Sequence, residues 1–221
     1  MNNLSSFTKN TYAWVILSFI FISGCSTTIP DNLVPVSVEQ VEQAQAWEMQ
    51  GRLAVRTADD KFSTNLYWLH TQNSDELKLT TMLGTTVLSL SSTNGDTLLE
   101  LDGKTYTDTN AQRLLARITG WTIPIDALPL WITGQLSEGD EVISQDSLNR
   151  PIQLLNSNQL PAWEVDFNSW QTQSGAELPR LLDINRDDIR LKIQVSKWQA
   201  LIPEKQVITN HPHSIANESS L

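Results

Sequence analysis

Few residues of this chain carry the reactive groups that catalysis or metal binding requires. There are three histidines, His70, His211 and His213, and one cysteine, Cys25. His211 and His213 form an HxH, which supplies fewer ligands than a zinc site needs. Two solvated tail histidines are the plainer reading. His70 ends an alternating run and reads as a rim residue rather than a general base. Gly103-Lys104-Thr105 matches the end of a phosphate-binding loop. Leu98 stands where that loop's first glycine belongs, so backbone N–H groups could not wrap a phosphate. Glu164 and Asp166 are a carboxylate pair at strand spacing. They alternate with Trp163, Val165 and Phe167, which makes them a solvated outer face rather than a glycosidase pair. Asp187-Asp188 is turn chemistry. No GxSxG elbow is present, which disfavours an α/β-hydrolase. The inventory points away from an enzyme, and to no metal and no cofactor.

The one thiol has a different chemistry open to it. Lys9 is the only charged residue among the first 24, and the apolar run AWVILSFIFI (Ala13–Ile22) follows it. A run of about ten residues is too short to span a bilayer but suits the core of a secretory signal. The tetrad Ile22-Ser23-Gly24-Cys25 resembles the bacterial lipobox, in which the cysteine receives diacylglycerol and an N-acyl chain and becomes the new N-terminus. Residues 1–24 are therefore expected to be a signal peptide, with Cys25 lipidated. The exported body then has neither a disulfide nor a free thiol, as suits an oxidising compartment.

The mature chain would be 197 residues long, with 14 basic against 25 acidic side chains and a net charge of −11. That length suits one domain with a sizeable core. An acidic surface disfavours nucleic acid, which needs clustered Lys and Arg, and disfavours electrostatic docking on anionic lipid. Membrane attachment is expected to come from acyl chains or apolar side chains.

The elements that position these residues are mostly strands. Residues 25–36 read as a lipidated tether broken by Pro30 and Pro35. Ser37 and Gln40 have capping-box spacing, which predicts a short helix near 37–46. The period then becomes two. Trp47, Met49, Leu53 and Val55 share a face, as do Phe62, Leu66 and Trp68. Leu77 with Leu79, and Leu88 with Leu90, repeat the pattern, and DTLLEL and Lys104–Thr107 continue it. Such short runs between turn residues mean an antiparallel meander, hence a sandwich or barrel. Two helical patterns interrupt it. Ala111, Leu114, Leu115 and Ile118 predict a helix at 109–119 capped by Thr109 and closed by Gly120. Leu128, Trp131 and Ile132 predict another at 126–133, capped by Asp126 and stopped by Gly134. Strands resume with PIQLL, AWEVDF, RLLDI and DIRLKIQVSKW. The domain spans 37–202, and residues 203–221 form a polar tail that reads as disordered.

Aromatic bulk stands out, with seven Trp left after the signal is removed. Any one of them is best read as core. Together with the strand pattern and two amphipathic helices, they suggest a half-barrel under a helical lid, with room for one hydrophobic ligand.

The lipobox, Gly51-Arg52-Leu53-Ala54-Val55, the turn Leu83–Thr86 and above all GWTIPIDALPLWITG (Gly120–Gly134) are similar to the LolB family of outer-membrane lipoprotein receptors. The similarity runs from about Val38 to Trp198. It implies an open, incomplete antiparallel β-barrel of about eleven strands with a helical lid over a hydrophobic cavity (LolA/LolB-like). It also implies a place on the periplasmic face of the outer membrane, lipid-anchored, and a monomer is the default expectation. Such a protein accepts client outer-membrane lipoproteins from a LolA-type periplasmic carrier, without nucleotide, and inserts them into the inner leaflet. Ser26 after Cys25 fits that placement, since Asp there commonly signals inner-membrane retention. Trp68, Leu66, Leu115, Ile118, Trp131 and Trp163 are expected to form the acyl-chain cavity and lid. The alternative is a lipid-anchored, non-catalytic scaffold or hydrophobic-ligand-binding module of the envelope.

One turn breaks the usual rule. TTMLGTT (residues 80–86) lies between two strand patterns, and turns usually carry Gly, Asn, Asp, Ser or Pro. Gly84 obeys, but Met82 and Leu83 are large and apolar. The resemblance makes this a membrane-insertion loop in which Leu83 protrudes. The family often has Pro where this chain has Met82, and a Pro would stiffen the loop.

Overall fold

A computed structural model describes residues 30, 32–158 and 160–204. The expected signal peptide, Cys25, and His211 and His213 lie outside the described residues, as does the expected tail beyond Glu204.

Twelve strands make one antiparallel sheet. They are β1 (Leu33–Pro35), β2 (Ala46–Arg56), β3 (Lys61–Thr71), β4 (Ser74–Thr80), β5 (Thr86–Thr93), β6 (Asp96–Leu101), β7 (Lys104–Asp108), β8 (Asp140–Gln145), β9 (Pro151–Asn156), β10 (Trp163–Gln173), β11 (Ala176–Arg186) and β12 (Ile189–Pro203). Eleven of them follow the order β7-β6-β5-β4-β3-β2-β12-β11-β10-β9-β8. β7 and β8 are the free edges, so the sheet curls without closing. The short β1 pairs with the end of β12, Leu33 opposite Pro203 and Pro35 opposite Leu201. The last residues of the expected tether are thus part of the sheet.

Alternation decides which face is inside. On β12, Leu191, Ile193 and Val195 are buried, while Arg190, Lys192 and Gln194 are exposed. They meet their equivalents on β2, with Leu191 opposite Val55 and Ile193 opposite Leu53. A bulge between Val195 and Lys197 then brings the two backbones together. Gly51 is required there, because a Cβ would sit 2.2 Å from the carbonyl oxygen of Gln194. Beyond the bulge Trp198 faces Met49, and both are buried.

Two helices cross the concave face, α1 (Ala111–Thr119) and α2 (Leu128–Thr133). α1 starts later than Thr109 because Asn110, not Thr109, is its cap, accepting from the Arg113 N–H at 2.7 Å. Thr109 is occupied elsewhere, its N–H on Asp108 and its hydroxyl on Arg113. α2 has Ala127 at its N-cap and no side-chain cap bond, so Asp126 does not do the capping its position suggested. Both helices end in a left-handed glycine, Gly120 and Gly134. The helix expected near 37–46 is only a 3-10 turn at Val41–Gln43. Ser37 does not cap it, because its hydroxyl donates to the Ser174 carbonyl instead. Ala46 and the residues after it are drawn into β2, where pairing with both β3 and β12 outweighs one helical turn.

β8 had no apolar alternation to announce it. It is an edge strand, paired on one side only, and of DEVISQ only Val142 packs against the core.

Candidate functional site

The helices and the segment joining them form a lid over β2–β5 and β12. Beneath it lies a cavity of about 40 Å³ whose lining side chains are all Leu, Ile or Trp. Leu66, Trp68, Leu77 and Leu90 come from the strands, Leu115 from α1, and Ile123 from the connecting segment. Of the residues expected here, Leu66, Trp68 and Leu115 come together. Ile118 is half-buried at the edge of the core and does not line this space. Trp131 is fully buried on α2, and its indole N–H donates to Asp140 Oδ2 at 2.8 Å. Trp163 is buried on β10, with the Arg186 guanidinium 4.4 Å above its ring centroid. Neither lines the cavity. As lining residues, sequence reasoning missed Trp121, Ile123, Ile125 and Leu128 of the lid and seven apolar residues of the strands, among them Leu77 and Leu90. The signal for Trp121, Ile123 and Ile125 is the apolar spacing around Pro124, in the segment between the helices, whereas Leu128 opens α2.

The lid is fastened at one rim. Arg186, at the end of β11, donates to the Thr122 carbonyl at 3.1 Å and to the Thr122 hydroxyl. Beside it, Phe62 of β3 stacks on Trp121, with centroids 5.0 Å apart and planes 20° apart. Away from this rim the lid meets a second space of about 230 Å³, which shares Trp68, Leu77, Leu90 and Ile125 with the apolar cavity. This mouth is partly polar. Asp75 Oδ1 accepts the Trp68 indole N–H at 2.8 Å and lies 2.7 Å from His70 Nδ1. Trp47 packs on the His70 ring at 5.0 Å. His70 is thus a rim residue, held by its neighbours. Asp126 of the lid completes the mouth, and partial loss of solvent, then the nearby Asp75 carboxylate, push its carboxyl pKa up.

The 80–86 turn is a three-residue hairpin loop. Thr81 N–H donates to the Thr85 carbonyl at 2.8 Å, Gly84 N–H to the Thr81 carbonyl at 3.0 Å, and Gly84 takes φ +84°. Two side chains brace it. The Thr81 hydroxyl accepts from Thr85 N–H at 3.2 Å, and the Asn65 amide donates to the Thr81 carbonyl at 3.1 Å. Met82 is 65% exposed and Leu83 95% exposed, so both apolar side chains point outward. These bonds hold the loop in shape without a proline.

Among the described residues no group of three His, Cys, Asp or Glu side chains could hold a metal ion. Glu164 and Asp166 share the Gln153 amide on the outer face. Among the described residues no helix is long and apolar enough to cross a membrane.

A family model described as outer membrane lipoprotein LolB matches residues 45–198. The outer-membrane lipoprotein LolB of Shewanella woodyi is 64% identical over 201 residues, covering 91% of this chain and 94% of that protein. That of Shewanella sediminis is 60% identical over 218 residues, 99% of this chain and 100% of the relative. That of Shewanella loihica is 56% identical over 205 residues, with 93% and 95% covered.

Proposed function

This chain belongs to the LolB family of outer-membrane lipoproteins, and from that premise we propose how it works as the receptor of the lipoprotein localisation pathway. It takes client lipoproteins from a LolA-type carrier in the periplasm, holds their acyl chains between the half-barrel and the lid, and releases them into the inner leaflet of the outer membrane. Cys25 carries the lipid that keeps it there, and the residues between it and β1 are the tether. The observation that carries this reading is the cavity under the lid, lined entirely by Leu, Ile and Trp.

The energetics support direct hand-over. A lipoprotein anchor has tens of methylenes, each worth about 0.8 kcal/mol in an apolar site. Crossing water unprotected is therefore prohibitive. Nucleotide is unnecessary if the receiver binds better than the carrier, because a ligand shifts an equilibrium by its difference in affinity. At about 40 Å³ the cavity is far below the 300 Å³ or more of an ordinary ligand pocket. The lid is closed, and acyl chains enter by displacing it from Leu66, Trp68 and the strand leucines. The segment joining the two helices is held by the Arg186–Thr122 bonds, the Phe62–Trp121 stack, and the burial of Ile123 and Ile125, while α1 is tied to Asp108 through Arg113 and Arg117 and α2 is anchored by the buried Trp131 and Ile132.

Leu83, with Met82 beside it and Gly84 setting the turn, is the membrane-insertion loop. Burying one Leu contributes about 1.5–3 kcal/mol. That orients a tethered protein without anchoring it. The test of the whole reading is to load the carrier with a labelled lipoprotein and add the mature chain at equal concentration. Transfer to the chain is expected, and its absence would sink the receptor function.

A further inference from the structure

Leu83 is the most exposed large apolar side chain among the described residues, and the next is Leu160, 88% exposed in the loop between β9 and β10. The strand pairing puts both at one end of the sheet. Arg56, at the end of β2, faces Lys61 at the start of β3 and Arg190 at the start of β12. That end therefore holds the β2–β3, β4–β5 and β11–β12 turns. It also holds the β9–β10 loop, since Glu164 faces Asn185 and Trp163 faces Asn156. Leu148, exposed in the β8–β9 turn, is at the opposite end. Five strand spacings separate β4 from β10, roughly 24 Å around the curve.

The base under Leu160 is braced, as the base under Leu83 is by Thr81 and Asn65. Asn156, buried at the end of β9, sets its amide nitrogen 2.7 Å from Asp140 Oδ1, 3.1 Å from the Glu138 carbonyl and 3.2 Å from the Ser137 hydroxyl. Its Oδ1 accepts the Asn158 N–H at 3.3 Å. Leu160 also borders an open groove with Thr122 and Arg186, the pair that latches the lid. The turns between the two leucines carry Asp59, Asp60, Asp187 and Asp188, all exposed, with Arg56, Lys61 and Arg190 exposed at the strand ends behind them. A partner protein covering both leucines would have to strip water from these charges. A bilayer would not: the leucines enter its apolar layer while the charges stay among the head groups. Mixed signs suit zwitterionic phospholipid and give anionic lipid no advantage.

We propose that Leu160 is a second bilayer contact, and that Leu83 and Leu160 together make this end of the half-barrel its membrane-facing surface. The proposal rests on the membrane-loop reading of Leu83. One contact leaves a tethered body free to turn about it. Two contacts, on opposite sides of the central β2–β12 pair, fix its tilt. They also bring the rim where Arg186 holds Thr122 to the surface that receives the acyl chains.

The experiment reconstitutes the acylated mature chain in phosphatidylcholine vesicles, with an environment-sensitive fluorophore on Leu160→Cys, Leu83→Cys or Leu148→Cys. All three positions are exposed, so the label leaves the core alone. Emission from positions 160 and 83 is expected to shift to the blue, and to be quenched by lipid-borne quenchers, in low and high salt alike. Emission from position 148 should stay at its aqueous value. Leu160→Glu should lower delivery of a loaded lipoprotein to the vesicles about tenfold, the loss of one leucine's burial. An aqueous signal at 160 beside a buried one at 83 overturns the second contact. So does a shift at 160 that requires the carrier, which would make it a protein contact, or native delivery by Leu160→Glu. Aqueous signals at both 83 and 160 mean that the membrane-loop reading itself fails, which is a different result from the loss of 160 alone.

Discussion

Arg186 holds Thr122 by both its carbonyl and its hydroxyl while its guanidinium lies over Trp163, so a single side chain ties the lid, the end of β11 and the core together. Because the bonds are at an exposed rim, they are worth about 1 kcal/mol rather than the full value of a buried charged pair.

Arg186→Gln should therefore raise the population of the open lid. A site that binds only when open has its apparent affinity lowered by the open fraction. The variant is expected to bind an acyl probe about threefold to tenfold tighter, with its melting temperature lower by about 2–4 °C. Probe titration and calorimetry check both. Unchanged affinity would mean the latch does not control access.

Leu83→Glu should leave the fold untouched, since Leu83 is 95% exposed and surface changes are usually within about 0.5 kcal/mol. Uptake from the carrier is expected at the native rate. On the membrane-loop reading proposed for Leu83, delivery to liposomes should fail, because a charge replaces an exposed leucine. Liposome incorporation that survives the change would remove the membrane role from this loop.

Leu115→Ala deletes most of a buried side chain on the lid face of the cavity. A cost of about 2–5 kcal/mol is expected, with a melting temperature lower by several degrees. The enlarged cavity should keep acyl binding even as stability drops. Denaturant unfolding, with probe binding measured on the same sample, separates the two effects.

Gly51→Ala should be among the most damaging single changes. The added methyl meets a backbone oxygen at 2.2 Å, and neither β2 nor β12 can yield without opening the bulge between Val195 and Lys197. Losses of about 3 kcal/mol or more are expected. Unfolding midpoints near the native value would show that the strands can part cheaply.

Arg113, with the Thr109 N–H and Arg117, holds the Asp108 carboxyl down to about 2, below its ordinary value near 3.8. A depressed carboxyl pKa stabilises the fold fully above the unfolded value and loses that contribution as pH falls through the folded one. The tie between β7 and α1 should thus weaken between about pH 4 and pH 2. In Asp108→Asn, melting temperature should fall less steeply over that window than in the native chain. Parallel slopes would exclude Asp108 as the titrating group.

Much of the fold was legible in the residues. Leu191, Ile193 and Val195, alternating with charged and polar neighbours, declare a half-buried strand, and the same holds for Trp163, Val165 and Phe167. β8 was not legible, because an edge strand needs no apolar alternation. Helix caps were missed by a residue or more, at Ser37, Thr109 and Asp126, because each side chain is used or left free by partners that spacing cannot see. The cavity was half legible. Leu66, Trp68 and Leu115 line it, whereas Trp131 and Trp163 do not.

What the amino-acid order determined alone was local: which side of each strand is apolar, where two helices end, and that Gly84 turns a hairpin with Leu83 at its tip. Those features depend on neighbours in sequence, through side-chain period and backbone dihedrals. Tertiary structure decided the rest. Alternation names an inward face but cannot tell a filled core from the wall of a cavity, since both demand the same residues. Only the crossing of the lid over β2–β5 makes Trp68 a wall and Trp131 core, and only that crossing brings Asp126 to the mouth that holds Asp75.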